Sequence, residues 1–176
     1  MLFSPKEIFD IFIAVVAGGF IFMDSFRDPH TDTKTFGERL LFSIAIAGPA
    51  IILHEFGHKF LALALGYSAT FHAAFTWLGI GILLKLISFP ILLVVPAYIS
   101  IVGAHGLDAA MISFAGPAIN GILWIGSYLC LKFGKKWTKT QYSVLHYTQT
   151  INMFLFIFNM LPIPGFDGYS FFMNLF

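Results

Sequence analysis

The sequence predicts an all-α polytopic membrane protein, with about four to six transmembrane helices and a small β or re-entrant element between two of them. Of its 176 residues, 58% are hydrophobic and 11% are charged, whereas soluble domains are about half apolar and about a quarter charged. Long apolar segments follow one another along the chain, and one of them contains closely spaced ionisable residues. At this length we expect a single domain, residues 1–176.

The same composition argues against a nucleic-acid-binding function. Ten Lys and Arg and nine Asp and Glu give a formal net charge of +1, so no broad basic surface is available to attract nucleic acid. The single cysteine, Cys130, cannot form an intramolecular disulfide. Lipid is the expected main solvent, and we predict a multi-pass protein of the cell membrane whose surroundings are the lipid bilayer. No oligomeric state is predicted.

Four apolar segments predict membrane spans, each of which needs about 20 apolar residues. They cover residues 8–23, 40–66, 111–133 and 143–161. Residues 78–95 predict either a further span or a re-entrant segment, because four residues interrupt their apolar run: Gly79, Gly81, Lys85 and Pro90. Pro162 and Pro164 end the last span, and residues 165–176 form a short apolar segment.

Between the second and third spans the pattern becomes typical of strands. Apolar side chains share one face at a period of two in residues 67–77, which predicts a strand there. Residues 97–102, between Pro96 and Gly103, predict a second short strand. Open strands at membrane depth persist only where they are buried in protein or line a wet cavity. Residues 67–104 are therefore expected to form the least ordinary part of the chain.

Residues 54–58, His-Glu-Phe-Gly-His, form an H-E-x-x-H motif inside a predicted helix. Residues four apart lie on one helix face, so His54 and His58 can bind one metal ion while Glu55 handles a proton. Three ionisable groups within five residues of a membrane helix are costly without a function. The motif predicts a metal site, against the alternative of a polar patch packed in a helix bundle.

A catalytic zinc ion usually has three protein ligands and one open position for water. The candidates for the third ligand are the His and Asp residues in apolar surroundings: His72, His105, Asp108, His146 and Asp167. Asp167 follows the helix break at Pro162 and Pro164, and broken helices at membrane depth commonly build binding sites. The alternative role for Asp167 is to cap the short helix that follows it.

Three motifs together resemble the site-2 protease family of intramembrane zinc metalloproteases. They are the H-E-x-x-H motif, residues 116–120 (Gly-Pro-Ala-Ile-Asn) and residues 159–168 (Asn-Met-Leu-Pro-Ile-Pro-Gly-Phe-Asp-Gly), and they occur in the order that the family has. The resemblance implies three zinc ligands, His54, His58 and Asp167. It also implies that Glu55 is the general acid and base of a peptidase.

The resemblance places Asn120 near the metal. There Asn120 could donate hydrogen bonds to the substrate backbone or to the developing oxyanion. The alternative role is an interhelical hydrogen bond, worth about 1 kcal/mol.

We therefore predict a zinc metalloprotease that cleaves transmembrane protein substrates within the membrane. Zinc lowers the pKa of a bound water to about 7, and Glu55 accepts the proton and passes it to the departing amine. A substrate helix must unwind locally, and strand edges within residues 69–77 and 97–102 could hold it extended. The runner-up is a non-hydrolytic membrane protein that retains the metal ligands, and a metal-ion transporter is a third candidate.

Two signals conflict over orientation in the membrane. Four lysines within residues 132–139 predict that this loop is cytoplasmic. The family resemblance implies instead that residues 67–110 and the opening of the active site face the cytosol. We favour the orientation implied by the family.

Overall fold

The computed structural model describes residues 2–26, 35–89 and 95–175. Over these ranges the protein is mostly helical and has one small sheet. The helices are α1 (Pro5–Phe22), α2 (Phe36–Ala64), α3 (Phe75–Leu86), α4 (Gly106–Phe133), α5 (Lys139–Asn159) and α6 (Asp167–Leu175), and the strands are β1 (Ser68–Ala73) and β2 (Ala97–Val102).

Local sequence explains where two of the helices begin. Ser4 and Glu7 form a capping box at the start of α1, where the Ser4 side chain accepts from the Glu7 amide and the Glu7 carboxylate accepts from the Ser4 amide. Thr138 and Gln141 do the same for α5. Each box satisfies two backbone amides that the helix itself leaves without a partner.

The four predicted spans correspond to α1, α2, α4 and α5, with ends that differ by a few residues. Among the described residues, α2 and α4 are long and apolar enough to cross a membrane, which by length and composition alone is weak evidence of membrane association. Helix α1 carries three charged residues in its first two turns, and α5 begins with a polar segment. The number of spans therefore stays a prediction.

The predicted β element between the second and third spans is confirmed, but the first strand is shorter than predicted. It ends at Ala73, and the predicted strand residues Phe75 and Trp77 belong to α3. The alternation was too short to exclude a helix, and α3 buries Leu78 and Gly81 three positions apart, as a helix face does. The second strand has the predicted bounds, 97–102.

Helix α3 occupies the start of the ambiguous apolar segment, residues 78–95. Its 12 residues extend about 18 Å, which is less than the roughly 30 Å of a bilayer's hydrocarbon core. The remainder of this segment includes residues 90–94, which lie outside the described residues. The choice between a span and a re-entrant segment stays open for that remainder.

Strands β1 and β2 pair with each other. The Ala74 amide donates to the Pro96 carbonyl at 3.0 Å, and the His72 ring stacks on Tyr98 with ring centroids 5.1 Å apart. These pairs give an antiparallel register in which the backbone groups of Ala69 and Phe71 point away from β2. Two buried side chains meet them there: Lys59 Nζ donates to the Ala69 carbonyl, and Glu7 Oε1 accepts from the Phe71 amide, each at 2.8 Å.

The chain forms two compact units. The first comprises Met1–Ile52 and Phe71–Tyr98, and the second comprises Leu53–Thr70 and Ile99–Phe176. Helix α1 contacts α3 in the first unit, whereas α4 packs against α5 and α6 in the second. The residues that the H-E-x-x-H motif and the family resemblance assign to the site all belong to the second unit: His54, Glu55, His58, Asn120 and Asp167. The single domain predicted for residues 1–176 stays a prediction.

Candidate metal centre

Helix α2 presents both histidines of the H-E-x-x-H motif on one face. Their Nε2 atoms lie 3.1 Å apart, and their rings meet edge to face with centroids separated by 4.8 Å. Both imidazoles are buried, with 9% of each side chain exposed. The four-residue spacing thus brings two ring nitrogens to one point, as the sequence predicts.

Two glycines allow α4 to approach α2 closely at this point. A Cβ on Gly57 would lie 2.6 Å from the Ala115 carbonyl oxygen, and a Cβ on Gly116 would collide with His58 Nε2. The backbone of α4 therefore packs directly against the imidazole of His58. Gly116 is the first residue of the motif at residues 116–120, and its lack of a side chain leaves room for the imidazole of His58.

Asp167 reaches the histidines because the chain breaks before it. Helix α5 ends at Asn159, and the turn that follows includes Gly165 at a φ of 97°, a value that favours glycine. Asp167 is the first residue of α6, and its Oδ2 lies 3.1 Å from His54 Nε2 and 3.3 Å from His58 Nε2. The Asp167 carboxylate thus lies beside both imidazoles although it follows His58 by 109 positions in the sequence.

The three ligand atoms have the spacing of a tetrahedral metal site. Ligands about 2.0–2.1 Å from a tetrahedral zinc ion are about 3.3 Å from one another, and the three observed separations are 3.1, 3.1 and 3.3 Å. Two imidazole nitrogens and a carboxylate oxygen form a donor set that catalytic zinc uses, with the fourth position left for water. Asp167 is the most exposed of the three, with 26% of its side chain accessible.

The other ring nitrogen of each histidine is engaged as a metal ligand requires. His58 Nδ1 lies 2.7 Å from the Ile112 carbonyl oxygen, which can only accept, so His58 donates through Nδ1. His54 Nδ1 lies 2.6 Å from Asn120 Oδ1. A proton held on Nδ1 leaves the Nε2 lone pair available to a metal ion.

Glu55 lies between the two ligands in α2 and is buried, with 7% of the residue exposed. Its carboxylate interacts electrostatically with His54, His58 and Asp167. This position suits a group that exchanges protons beside the metal without binding it.

The other candidates for the third ligand have different surroundings. His72 stacks on Tyr98, His146 stacks on Tyr142, and His105 directly precedes α4. Asp108 accepts a hydrogen bond of 2.6 Å from the Tyr67 hydroxyl, and this bond raises the pKa of Tyr67. Within the described ranges, none of these four residues joins a cluster that could hold a metal ion.

Asn152 of α5, which is completely buried, was not among the residues predicted from the sequence. Its Oδ1 accepts from Asn120 Nδ2 at 2.7 Å, and its own Nδ2 donates to the Thr148 carbonyl at 2.8 Å. A buried amide in an apolar helix is the signal that could have identified it. The substrate role predicted for Asn120 stays a prediction, and both ends of its amide are engaged by protein groups.

Comparison with known proteins points to the same chemistry. A protein of Methanocaldococcus jannaschii, named putative zinc metalloprotease MJ0611, is 32% identical over 168 residues, which cover 94% of this chain and 83% of that protein. No family model matches the chain, and neither does any solved structure. The relative's name and the His-His-Asp cluster agree on zinc, which is the cofactor that fits this site.

Proposed function

The chain belongs to the family of the Methanocaldococcus jannaschii protein named putative zinc metalloprotease MJ0611. On that premise we propose that it hydrolyses peptide bonds of transmembrane proteins within the membrane, as site-2 proteases do. The observation that carries the proposal is the convergence of three ligand atoms from α2 and α6, each within 3.3 Å of the others. Its place in the cell is a membrane that it crosses several times.

The ionisable groups of α2 support a reaction at membrane depth. Helix α2 is one of the two helices of membrane-spanning length, and it buries His54, Glu55 and His58. Burying ionisable groups in such a helix is expensive and is characteristic of functional sites. A polar patch that served only helix packing would not require Asp167, a residue distant in sequence, to lie beside both histidines.

The mechanism follows from the position of each side chain. His54, His58 and Asp167 would hold the ion, and zinc supplies Lewis acidity that acidifies water and polarises a carbonyl oxygen. Glu55 accepts a proton from the attacking water as the water oxygen bonds to the scissile carbonyl carbon. When the C–N bond breaks, Glu55 donates that proton to the departing amine.

A transmembrane substrate must leave its helix before its carbonyl can be attacked. We propose that β2 holds the unwound segment by adding it to the sheet. The outer edge of β1 is already hydrogen-bonded to the side chains of Lys59 and Glu7, so we assign the substrate to β2. Within the described residues no third strand pairs with β2, and the register leaves the backbone groups of Ile99 and Ile101 on its outer edge.

Replacing Ile99 with proline tests this strand. Ile99→Pro removes one edge amide, and Ile99→Ala loses a similar amount of side-chain packing but keeps the amide. We expect Ile99→Pro to cut turnover at least tenfold relative to Ile99→Ala, with equal zinc content in both variants. Equal turnover of the two variants would refute the role of β2.

Glu55→Gln tests the hydrolysis itself. The protein is reconstituted in liposomes with a model transmembrane substrate, and both zinc content and cleavage are measured. Removing the proton acceptor should lower the cleavage rate by about 10²–10⁴-fold, which is the usual contribution of general acid–base catalysis. Zinc content should stay at the parent level. Glu38→Gln, the same substitution at an exposed position of α2, is the control and should cleave normally.

The same experiment distinguishes the competing functions. Zinc in both proteins and cleavage by neither would favour a non-hydrolytic metal-binding protein over the peptidase. Zinc transport into the liposomes without cleavage would favour a transporter.

A further inference from the structure

Two buried asparagines stand behind the metal ligand His54. Asn120 lies in α4 and Asn152 lies in α5, and both are 0% exposed. Burying an amide is costly unless each of its polar atoms has a partner. These two amides have partners that form one continuous chain from the backbone of α5 to the imidazole of His54.

The Thr148 carbonyl, at one end of this series of hydrogen bonds, sets the direction of all of them. The Thr148 carbonyl can only accept, so Asn152 turns its Nδ2 towards it, at 2.8 Å. Asn152 then has only Oδ1 to offer Asn120, which must donate through Nδ2, at 2.7 Å. This orientation leaves Asn120 Oδ1 facing His54 Nδ1 at 2.6 Å.

We propose that Asn152 and Asn120 are positioning residues that fix the metal-binding tautomer of His54 from the backbone of α5. An oxygen at 2.6 Å requires the proton of His54 on Nδ1 and therefore exposes the Nε2 lone pair to the metal. If Asn120 were turned by 180°, its amide group would face Nδ1 and favour the proton on Nε2, the tautomer that cannot bind the ion. Asn152 prevents that turn.

The two histidines thus obtain the same tautomer by different means. His58 donates directly to a backbone carbonyl, that of Ile112, and needs no further support. His54 has a side-chain amide as its acceptor, and an amide can present either end. A second amide, anchored to a backbone carbonyl, removes that ambiguity.

This inference rests on the proposed metalloprotease function, but its test measures zinc affinity rather than cleavage. Zinc retention against a competing chelator is measured for the parent, Asn120→Ala, Asn152→Leu and Asn152→Asp in the full chain in detergent. Hydrogen-bond partners of a metal-ligating histidine typically contribute 10–100-fold in metal affinity. We expect losses of about that size for Asn120→Ala and of about tenfold for Asn152→Leu.

Asn152→Asp is the conservative variant. In its protonated form the carboxyl group donates to the Thr148 carbonyl through its hydroxyl and accepts from Asn120 Nδ2 through its carbonyl oxygen. The orientation of Asn120 is then kept, and zinc affinity should stay within about threefold of the parent, well short of the loss expected for Asn152→Leu. Ser113→Ala is the matched control, because it removes another interhelical hydrogen bond of α4, the 2.8 Å bond from Ser113 to Ser170. We expect it to lower thermal stability without changing zinc affinity.

Two results would overturn the proposal. One is a folded Asn152→Leu protein that holds zinc as tightly as the parent, which would make Asn152 merely structural. The other is an Asn120→Ala protein with unchanged zinc affinity and a raised KM, which would assign Asn120 to substrate binding. A parent protein that binds zinc but cleaves nothing would contradict the proposed function and leave the affinity comparison intact.

Discussion

Both compact units place carboxylates in helices, but the carboxylates have different partners in the two units. In the first unit Glu7 and Asp10 are 5% and 1% exposed. Glu7 accepts from the amides of Ser4 and Phe71, each at 2.8 Å, and Asp10 accepts from Lys6 Nζ at 2.6 Å. In the second unit Asp167 faces two imidazole nitrogens whose other sides are already engaged.

The difference shows that burial of charge does not by itself identify a site. The carboxylates of Glu7 and Asp10 accept hydrogen bonds from donors that the protein itself supplies, so the fold satisfies them without a metal ion. Around Asp167, three atoms that can each bind a cation converge, and the protons of the two histidines are held on the far side of each ring. Among the described residues, the second arrangement is the one that brings three potential ligand atoms together.

Removing Asp167 should produce the largest effect. Asp167→Ala deletes one of three ligands, so zinc affinity should fall by more than the roughly 100-fold upper range for residues that merely support a ligand. Asp10→Ala, which deletes a more deeply buried carboxylate, should retain zinc at the parent level. Metal analysis after chelator challenge compares the two variants, and equal zinc loss would erase the distinction between the units.

A methyl group at Gly116 should produce the next largest effect. Gly116→Ala places a Cβ against His58 Nε2, which displaces a ligand, and we expect zinc affinity to fall by roughly 10–100-fold. Gly48 lies in the same local sequence, Ala-Gly-Pro-Ala-Ile, but its Cβ would meet the Val15 side chain at 3.3 Å. Gly48→Ala should leave zinc affinity unchanged in the same assay.

The smallest effect on the metal is expected in the first unit. Glu7→Ala leaves the Ser4 and Phe71 amides without their carboxylate acceptor, which should lower the free energy of unfolding by about 1–3 kcal/mol. Zinc affinity should not change. Glu7→Gln keeps one acceptor oxygen and should be intermediate in a thermal unfolding series. Loss of zinc from a folded Glu7→Ala protein would mean that this carboxylate also serves the metal site.

Much of the architecture could be predicted from sequence because its signals are local. Apolar runs located the helices, and proline and glycine marked the break before Asp167. Residues 97–102 were predicted as a strand from six consecutive residues between Pro96 and Gly103. The start of α3 was missed because two apolar residues spaced by two, Phe75 and Trp77, fit a strand as well as a helix.

The sequence by itself determined that His54, Glu55 and His58 share a helix face, because a helix repeats every 3.6 residues wherever it is placed. It also determined that a carboxylate follows a break in a later helix. Only the tertiary structure decided which distant groups complete the site. The close approach of α4 at Gly116, the arrival of Asp167 and the orientation of Asn120 by Asn152 depend on packing between helices, and no local spacing encodes such packing.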